Sequence, residues 1–264
     1  MSAAEELIVN TPEEIASLDP ALREMLDAGV FYGRKKSKTH PRMKAYILGT
    51  RNEIEVVNIA KTKEVFDEAL AFLREKAKSG GRMLFVATQP AAEGVRALAH
   101  EFHFPAVTLR WLGGTLTNFK IISKRIEYFT KLKSDWAKNE FEKYTKKERV
   151  GIEREMRKLE ELLGDLEPLQ SIPDVMIVID PALHTTAIRE ARRLQIPIVA
   201  FANTDSDPDL VTYPVVGNTK ARMSIDWFFH KVREAIHEGM AQRAKMVEEL
   251  AAKKAASEEK EKAE

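Results

Sequence analysis

Cysteine is absent from the 264 residues of this chain, which excludes disulfides, thiolate metal sites and cysteine nucleophiles and fits a reducing, cytoplasmic setting. No uninterrupted apolar run approaches the ~18 residues that a membrane-spanning helix needs. The opening Met1-Ser2-Ala3-Ala4-Glu5-Glu6 has neither a basic nor an apolar leader region. The expectation is a soluble, unexported protein with no membrane contact. Phosphate-binding glycine patterns are missing too. After Met83 to Ala87 the chain reads Thr88-Gln89-Pro90-Ala91-Ala92-Glu93-Gly94, without the paired glycines that admit a pyrophosphate, and no Walker-type glycine-lysine loop occurs. The histidines His40, His100, His103, His184, His230 and His237 form no zinc-protease pair. Asp205, Asp207 and Asp209 alternate like the start of a calcium loop, but Leu210 and Val216 stand where glycine and glutamate are required. Neither a metal nor a cofactor is expected.

What is present is a hydrophobic fraction of 44%, enough to close a real core. A net charge of +1 conceals strong segregation. From Glu5 to Asp27 the acids Glu5, Glu6, Glu13, Glu14, Asp19, Glu24 and Asp27 are opposed by Arg23 alone, an acidic lead over residues 1–28. Directly after it come Arg34, Lys35, Lys36, Lys38, His40, Arg42 and Lys44 with no acid among them.

Short β-branched runs alternate with helical patterns, as in βαβ units. Strands are expected at Ile54 to Asn58, Met83 to Ala87, Ala106 to Leu109, Val175 to Asp180 and Ile198 to Phe201. Helices are expected at Thr62 to Lys78, Ala91 to Phe102, His184 to Leu194 and from Lys220 onward. The fold class is α/β: a Rossmann-like, flavodoxin-like three-layer parallel sheet over residues 29–115 and 165–239. Within residues 116–164, Ile122, Ile126, Phe129, Leu132 and Trp136 recur at three or four residues, as do Ile152, Met156, Leu159 and Leu163. This predicts an inserted antiparallel coiled-coil hairpin with arms of roughly 25–30 Å. Its basic residues, Lys124, Arg125 and Lys131 among them, read either as a solvated face or as an RNA surface. The Ala-, Glu- and Lys-rich stretch 240–264 reads as an exposed helix or a disordered tail.

Three local features carry alternatives. Gly113-Gly114 is an anion-binding turn or a plain strand-to-helix turn. Asp180, ending an apolar strand near His184, is placed either as a catalytic carboxylate or as a helix cap, and no nucleophile or oxyanion device accompanies it. Asn203 to Pro208 reads as a turn capped by its own side chains. The combined signal is for RNA. Phe31 and Tyr32 offer stacking faces beside the cations Arg34, Lys35, Lys36, Lys38, His40, Arg42 and Lys44. A second cluster of Arg110, Trp111, Asn118, Lys120, Lys124 and Arg125 extends the same surface. A nucleotide-dependent enzyme around Thr88, Asp180 and Asn203 is the rival reading.

Met25-Leu26-Asp27-Ala28-Gly29-Val30-Phe31-Tyr32-Gly33, followed by His40-Pro41-Arg42-Met43-Lys44-Ala45-Tyr46-Ile47, resembles the bacterial small-subunit ribosomal protein uS-two family. Arg110-Trp111-Leu112-Gly113-Gly114-Thr115-Leu116-Thr117-Asn118, Ala187-Ile188-Arg189-Glu190-Ala191 and the Asp207-Pro208 loop match its pattern in order, and the resemblance spans roughly Leu22 to Gly239. It implies a Rossmann-like sheet with a helical insertion, seated where head meets body on the solvent side of the small subunit. It further implies binding to small-subunit rRNA, contact with neighbouring ribosomal proteins, and docking of the large ribosomal protein S-one. The chain departs from the pattern at Phe31 and Arg34, where the family has histidine. It also departs at Gln89-Pro90, where lysine is frequent, and at Thr219-Lys220, where an acidic pair is common.

Overall fold

The runs at 83–86, 175–179 and 198–202 are buried at every position. Strands that leave no face to water belong inside a parallel sheet covered by helices on both sides. The structure, a computed structural model, describes residues 19–261; the acidic lead before Asp19 lies outside the described residues. In chain order the elements open with α1 (Pro20–Asp27), β1 (Tyr32–Lys35), β2 (Ile47–Arg51), β3 (Ile54–Val57) and α2 (Ile59–Lys78). Then come β4 (Met83–Val86), α3 (Gly94–Glu101), β5 (Ala106–Val107), α4 (Phe119–Ala137) and α5 (Lys146–Leu163). The chain closes with β6 (Val175–Ile179), α6 (Thr185–Arg193), β7 (Ile198–Ala202), β8 (Tyr213–Val216) and α7 (Arg222–Glu261).

The parallel sheet has the order β5-β4-β6-β7-β8. Counting only these strands along the chain, the order is 2-1-3-4-5, the flavodoxin-like arrangement, with its switch point between β4 and β6. The pleat sorts the buried strands into two cores. Met83, Phe85, Ile177, Val199 and Phe201 face a layer containing α1, α2, α3 and α7. Leu84, Val86, Met176, Val178 and Ala200 face α4, α5 and α6. One-residue alternation under continuous burial is the geometric signature of a sheet covered on both faces.

The strand read at Ile54 to Asn58 does not join this sheet. It is the centre of a three-stranded antiparallel sheet in the order β1-β3-β2, and its own burial alternates, with Glu55 and Val57 inside. That half-buried alternation distinguishes it from the fully buried runs. Strands β1, β2 and β8 went unread because Gly33, Gly49 and Pro214 interrupt their β-propensity. Pro214 is tolerated because β8 is an edge strand. The helix read at Ala91 to Phe102 begins instead as a 3-10 turn, Pro90–Ala92, before α3.

Helix α7 runs on as one helix to Glu261. Its buried Ile225, Phe228, Val232 and Ile236 pack with Phe66, Ala69 and Leu73 of α2. A Cβ on Gly239 would stand 2.6 Å from the Ala77 Cβ, so this glycine sets how closely the two helices cross. On the opposite layer α4 buries Ile122, Ile126, Phe129 and Leu132, α5 buries Leu159 and Leu163, and a Thr145–Glu148 capping box starts α5. Side-chain links between the two helices are Tyr128 Oη to Glu155 at 3.2 Å and Lys133 Nζ to Glu160 at 3.6 Å. Among the described residues no helix is long and apolar enough to cross a membrane.

Candidate nucleic-acid interface

The basic segment leaves α1 at Ala28, forms β1, and then makes two 3-10 turns, Lys36–Lys38 and Pro41–Tyr46. Short turns keep long side chains in water, and Lys35, Lys36, Lys38 and Lys44 are exposed with no ion-pair partner among the described residues. Tyr32 is 50% exposed. Phe31 packs against the core and lies 4.1 Å from the Tyr32 ring, centroid to centroid, so only the tyrosine keeps a face for stacking. Gly33 serves the fold rather than a ligand: a Cβ there would meet the Glu55 carbonyl oxygen at 2.7 Å.

The remaining cations of the segment bond to the loop after β7 or within the segment itself. Arg34 Nε donates to Asp205 Oδ2 at 3.1 Å, and its backbone N–H donates to Thr204 Oγ1 at 2.9 Å. His40 donates its backbone N–H to the Thr204 carbonyl at 2.8 Å, and its ring Nδ1 accepts from the Arg42 N–H at 3.4 Å. Arg42 Nη1 lies 3.1 Å from Asp207 Oδ2 and 2.9 Å from Asp209 Oδ2. The loop after β7 thus clamps the basic segment. Self-capping is part of its chemistry, since Asp207 Oδ1 accepts the Asp209 N–H at 3.1 Å.

The second cluster follows β5. Arg110, Asn118, Lys120, Lys124 and Arg125 are exposed. Trp111 is half-buried, and its indole N–H donates to Glu190 Oε1 at 3.0 Å. The same carboxylate accepts the Gly114 N–H at 2.8 Å, the Leu116 N–H at 3.0 Å and the Thr117 N–H at 3.2 Å. Gly114, at φ +88°, supplies the left-handed bend that turns its N–H toward the carboxylate. The Gly113-Gly114 turn is an anion-binding turn, and its anion is a side chain of α6. Burial works to raise the pKa of Glu190, but donation from Trp111, Gly114, Leu116 and Thr117 outweighs it and holds the carboxyl below its ordinary value.

Both clusters lie along the carboxyl edge of the parallel sheet. β5 and β7 are three strand spacings apart, roughly 14 Å at ~4.8 Å per step. Between them sits Asp180, fully buried at φ +58°. Its Oδ2 accepts Gln89 Nε2 at 3.0 Å and Thr219 Oγ1 at 3.3 Å, pairs with Lys220 Nζ at 3.0 Å, and has Arg34 Nη2 at 3.9 Å. Lys220 Nζ also donates to Gln89 Oε1 at 3.1 Å. Neither sequence reading of Asp180 describes it: the carboxylate gathers the chain's own cations at the switch point. Arg34, Gln89 and Thr219-Lys220, all departures from the family pattern, meet there. His184 is buried nearby; desolvation lowers its pKa, with the Asp180 charge acting in the opposite direction. Among the described residues no group of three or more metal-type ligands occurs.

Sequence reasoning missed Glu190 and the Asp205 to Asp209 clamp, and it marked Lys220 only as a departure from the family pattern. One signal was available for Glu190. It stands three residues after Ala187, on the apolar stripe of α6 with Ile188 and Ala191, and a charge on a buried stripe needs partners.

A sequence model of the family described as Ribosomal protein S2 matches residues 25–239. The small ribosomal subunit protein uS2 of Thermus thermophilus is 39% identical over 216 residues, covering 81% of this chain and 84% of the relative. That of Dictyoglomus thermophilum is 38% identical over 225 residues, covering 85% and 92%. That of Corynebacterium diphtheriae is 39% identical over 238 residues, covering 89% of each. A match through the clamp, the glycine turn and every strand of both sheets places the chain in the ribosomal protein S2 family.

Proposed function

We propose that this protein is a structural constituent of the cytoplasmic small ribosomal subunit and holds small-subunit rRNA and neighbouring ribosomal proteins, with no catalytic activity. The observation that carries this reading is family membership across residues 25–239. The geometry adds how RNA would be held. Lys35, Lys36, Lys38 and Lys44 stand in water at the end of β1 and on the turns after it, Tyr32 offers a stacking face, and Arg110, Lys120, Lys124 and Arg125 are exposed after β5 and along the start of α4. Residues 116–164 act in this reading as an arm inserted into the sheet unit of 29–115 and 165–239, its basic face laid on RNA.

Against the rival enzyme reading stands the filling of the switch point. The place where a doubly wound sheet takes a ligand is occupied by Gln89, Thr219, Lys220 and Arg34 around Asp180. A protein partner has its own support in an apolar groove of about 620 Å3 between α1 and the antiparallel sheet, bordered by Leu26, Phe31, Tyr32, Leu48 and Ile54. The family resemblance implies ribosomal protein S-one as one docking partner.

Sedimentation of a lysate at low and high salt tests the reading: the chain should travel with small subunits in stoichiometric amount. Binding of the purified protein to small-subunit rRNA should weaken with salt at a log-log slope of about −4 to −5, as for roughly six neutralised phosphates. A chain that stays in the soluble fractions, or a slope near zero, would falsify the assignment.

A further inference from the structure

Arg42 sits in the middle of the cations assigned to RNA phosphates, yet its guanidinium faces its own chain. Carboxylate oxygens of Asp207 and Asp209 lie 3.1 and 2.9 Å from the same Nη1. Two anionic oxygens from separate residues around one guanidinium nitrogen present what the non-bridging oxygens of a phosphate would present. The fold, and not Arg42, holds the loop in this pose. Asp207 caps the following 3-10 turn, Pro208 is buried, and Arg34 and His40 tie the basic segment to Thr204 and Asp205. The arginine side chain is 58% exposed, so its pairs are of the kind that water, salt or a competing anion can open. Arg34 differs: at 28% exposure, between Asp205 and buried Asp180, it is committed to the fold.

We propose that Asp207 and Asp209 form a built-in phosphate mimic that occupies Arg42 in the free protein and restrains the affinity of the basic segment for RNA. The inference rests on the RNA reading above. Any RNA phosphate that takes Arg42 must displace two carboxylates, of which Asp207 is held by the turn it caps and Asp209 is exposed. An rRNA already held by Lys35, Lys36, Lys38 and Lys44 presents its phosphate at high effective concentration and takes Arg42 over. That displacement costs the same in every complex, so the acidic pair weakens binding most where Arg42 is most fully engaged.

The test compares wild type with the double variant Asp207→Asn/Asp209→Asn. Asparagine keeps the oxygen that caps the turn, so folding is preserved, as a thermal melt checks. Against polyuridylate, the double variant should bind about two- to five-fold more tightly, the range expected when a weak exposed pair is removed. Its salt slope should steepen by about 0.7, one contact on a single strand. Affinity for small-subunit rRNA should rise by at least as large a factor, because Arg42 is more fully engaged there. The same double variant is then made with Arg42→Gln, where the gain on polyuridylate must disappear. No gain overturns the inference; so does an equal gain without Arg42, which would reflect only the loss of nearby negative charge. Failure of the wild type to bind either RNA in a salt-dependent way would be seen before any variant is compared, and would sink the RNA reading and this inference with it.

Discussion

The Gly113–Thr117 turn and the Lys36–Tyr46 turns both carry strong donors for an anion, but only the second keeps most of its donors in water. In the first, Glu190 collects an indole N–H, three backbone N–H groups and the Thr117 hydroxyl. In the second, four lysines remain exposed while Arg34, His40 and Arg42 anchor the segment. Donor chemistry alone therefore does not mark a ligand site. What distinguishes the two is whether the fold brings a carboxylate to the donors, and here α6 does so for one and the loop after β7 does so for only part of the other.

Replacing Lys35, Lys36, Lys38 and Lys44 together with glutamine should have the largest effect. If each contacts a phosphate, the rRNA salt slope becomes shallower by about 3 units and affinity at 0.1 M salt falls by about three decades. Unfolding by urea should stay within about 0.5 kcal/mol of wild type, because these residues are exposed and without an ion-pair partner among the described residues. The opposite pattern is expected at the filled turn. Glu190→Ala should lose about 3 kcal/mol of stability in urea, since it strands several donors, one of them the buried Leu116 N–H. Its RNA salt slope in native conditions should be unchanged. The pH dependence has a definite sign. A carboxyl held below its ordinary value stabilises the fold above about pH 4.3, the unfolded value, and that contribution is lost as pH falls through the lower folded value. Glu190→Gln should remove this component of acid unfolding, as acid titration followed by circular dichroism would show.

Asp180→Ala should cost about 2 kcal/mol in urea, discounted because Lys220 and Arg34 are partly in water. Amide exchange should rise in residues 32–46, where Arg34 loses one of its two anchors. Unchanged exchange there would argue that the loop after β7 fastens the segment without Asp180. The smallest effect is expected of Tyr32→Ala, a loss of about 1 kcal/mol in rRNA affinity if a base stacks on its exposed face. An unaltered affinity would assign the face to the groove beside it and to protein contacts.

The parallel core was legible because fully buried strands leave no polar position: 83–86, 175–179 and 198–202 declare themselves as apolar runs. The two seams of α4 and α5 were legible from helical periodicity. The small sheet was not, because β1 and β2 carry Gly33 and Gly49 and gain their stability from pairing with β3. At the candidate interface the cation-rich segment was visible as a run of like charge. Its division into unpaired lysines and paired arginines was invisible, since the aspartates that make the division lie some 165 to 171 positions away along the chain.

Local pattern was sufficient for the fully buried strands and the long helices, for the α/β class and for the absence of thiol chemistry, since each depends on residues close in sequence or on composition alone. The partner of every charged group was a different matter. Arg34 with Asp205, Arg42 with Asp207 and Asp209, Lys220 with Asp180, and Trp111 with Glu190 are all pairs across distant segments. Coulombic and hydrogen-bonded contacts act over a few ångströms of space and are indifferent to separation along the chain. Only the stacking of β4, β6 and β7, which delivers their carboxyl ends to one edge, selects which cations are neutralised and which remain for a phosphate.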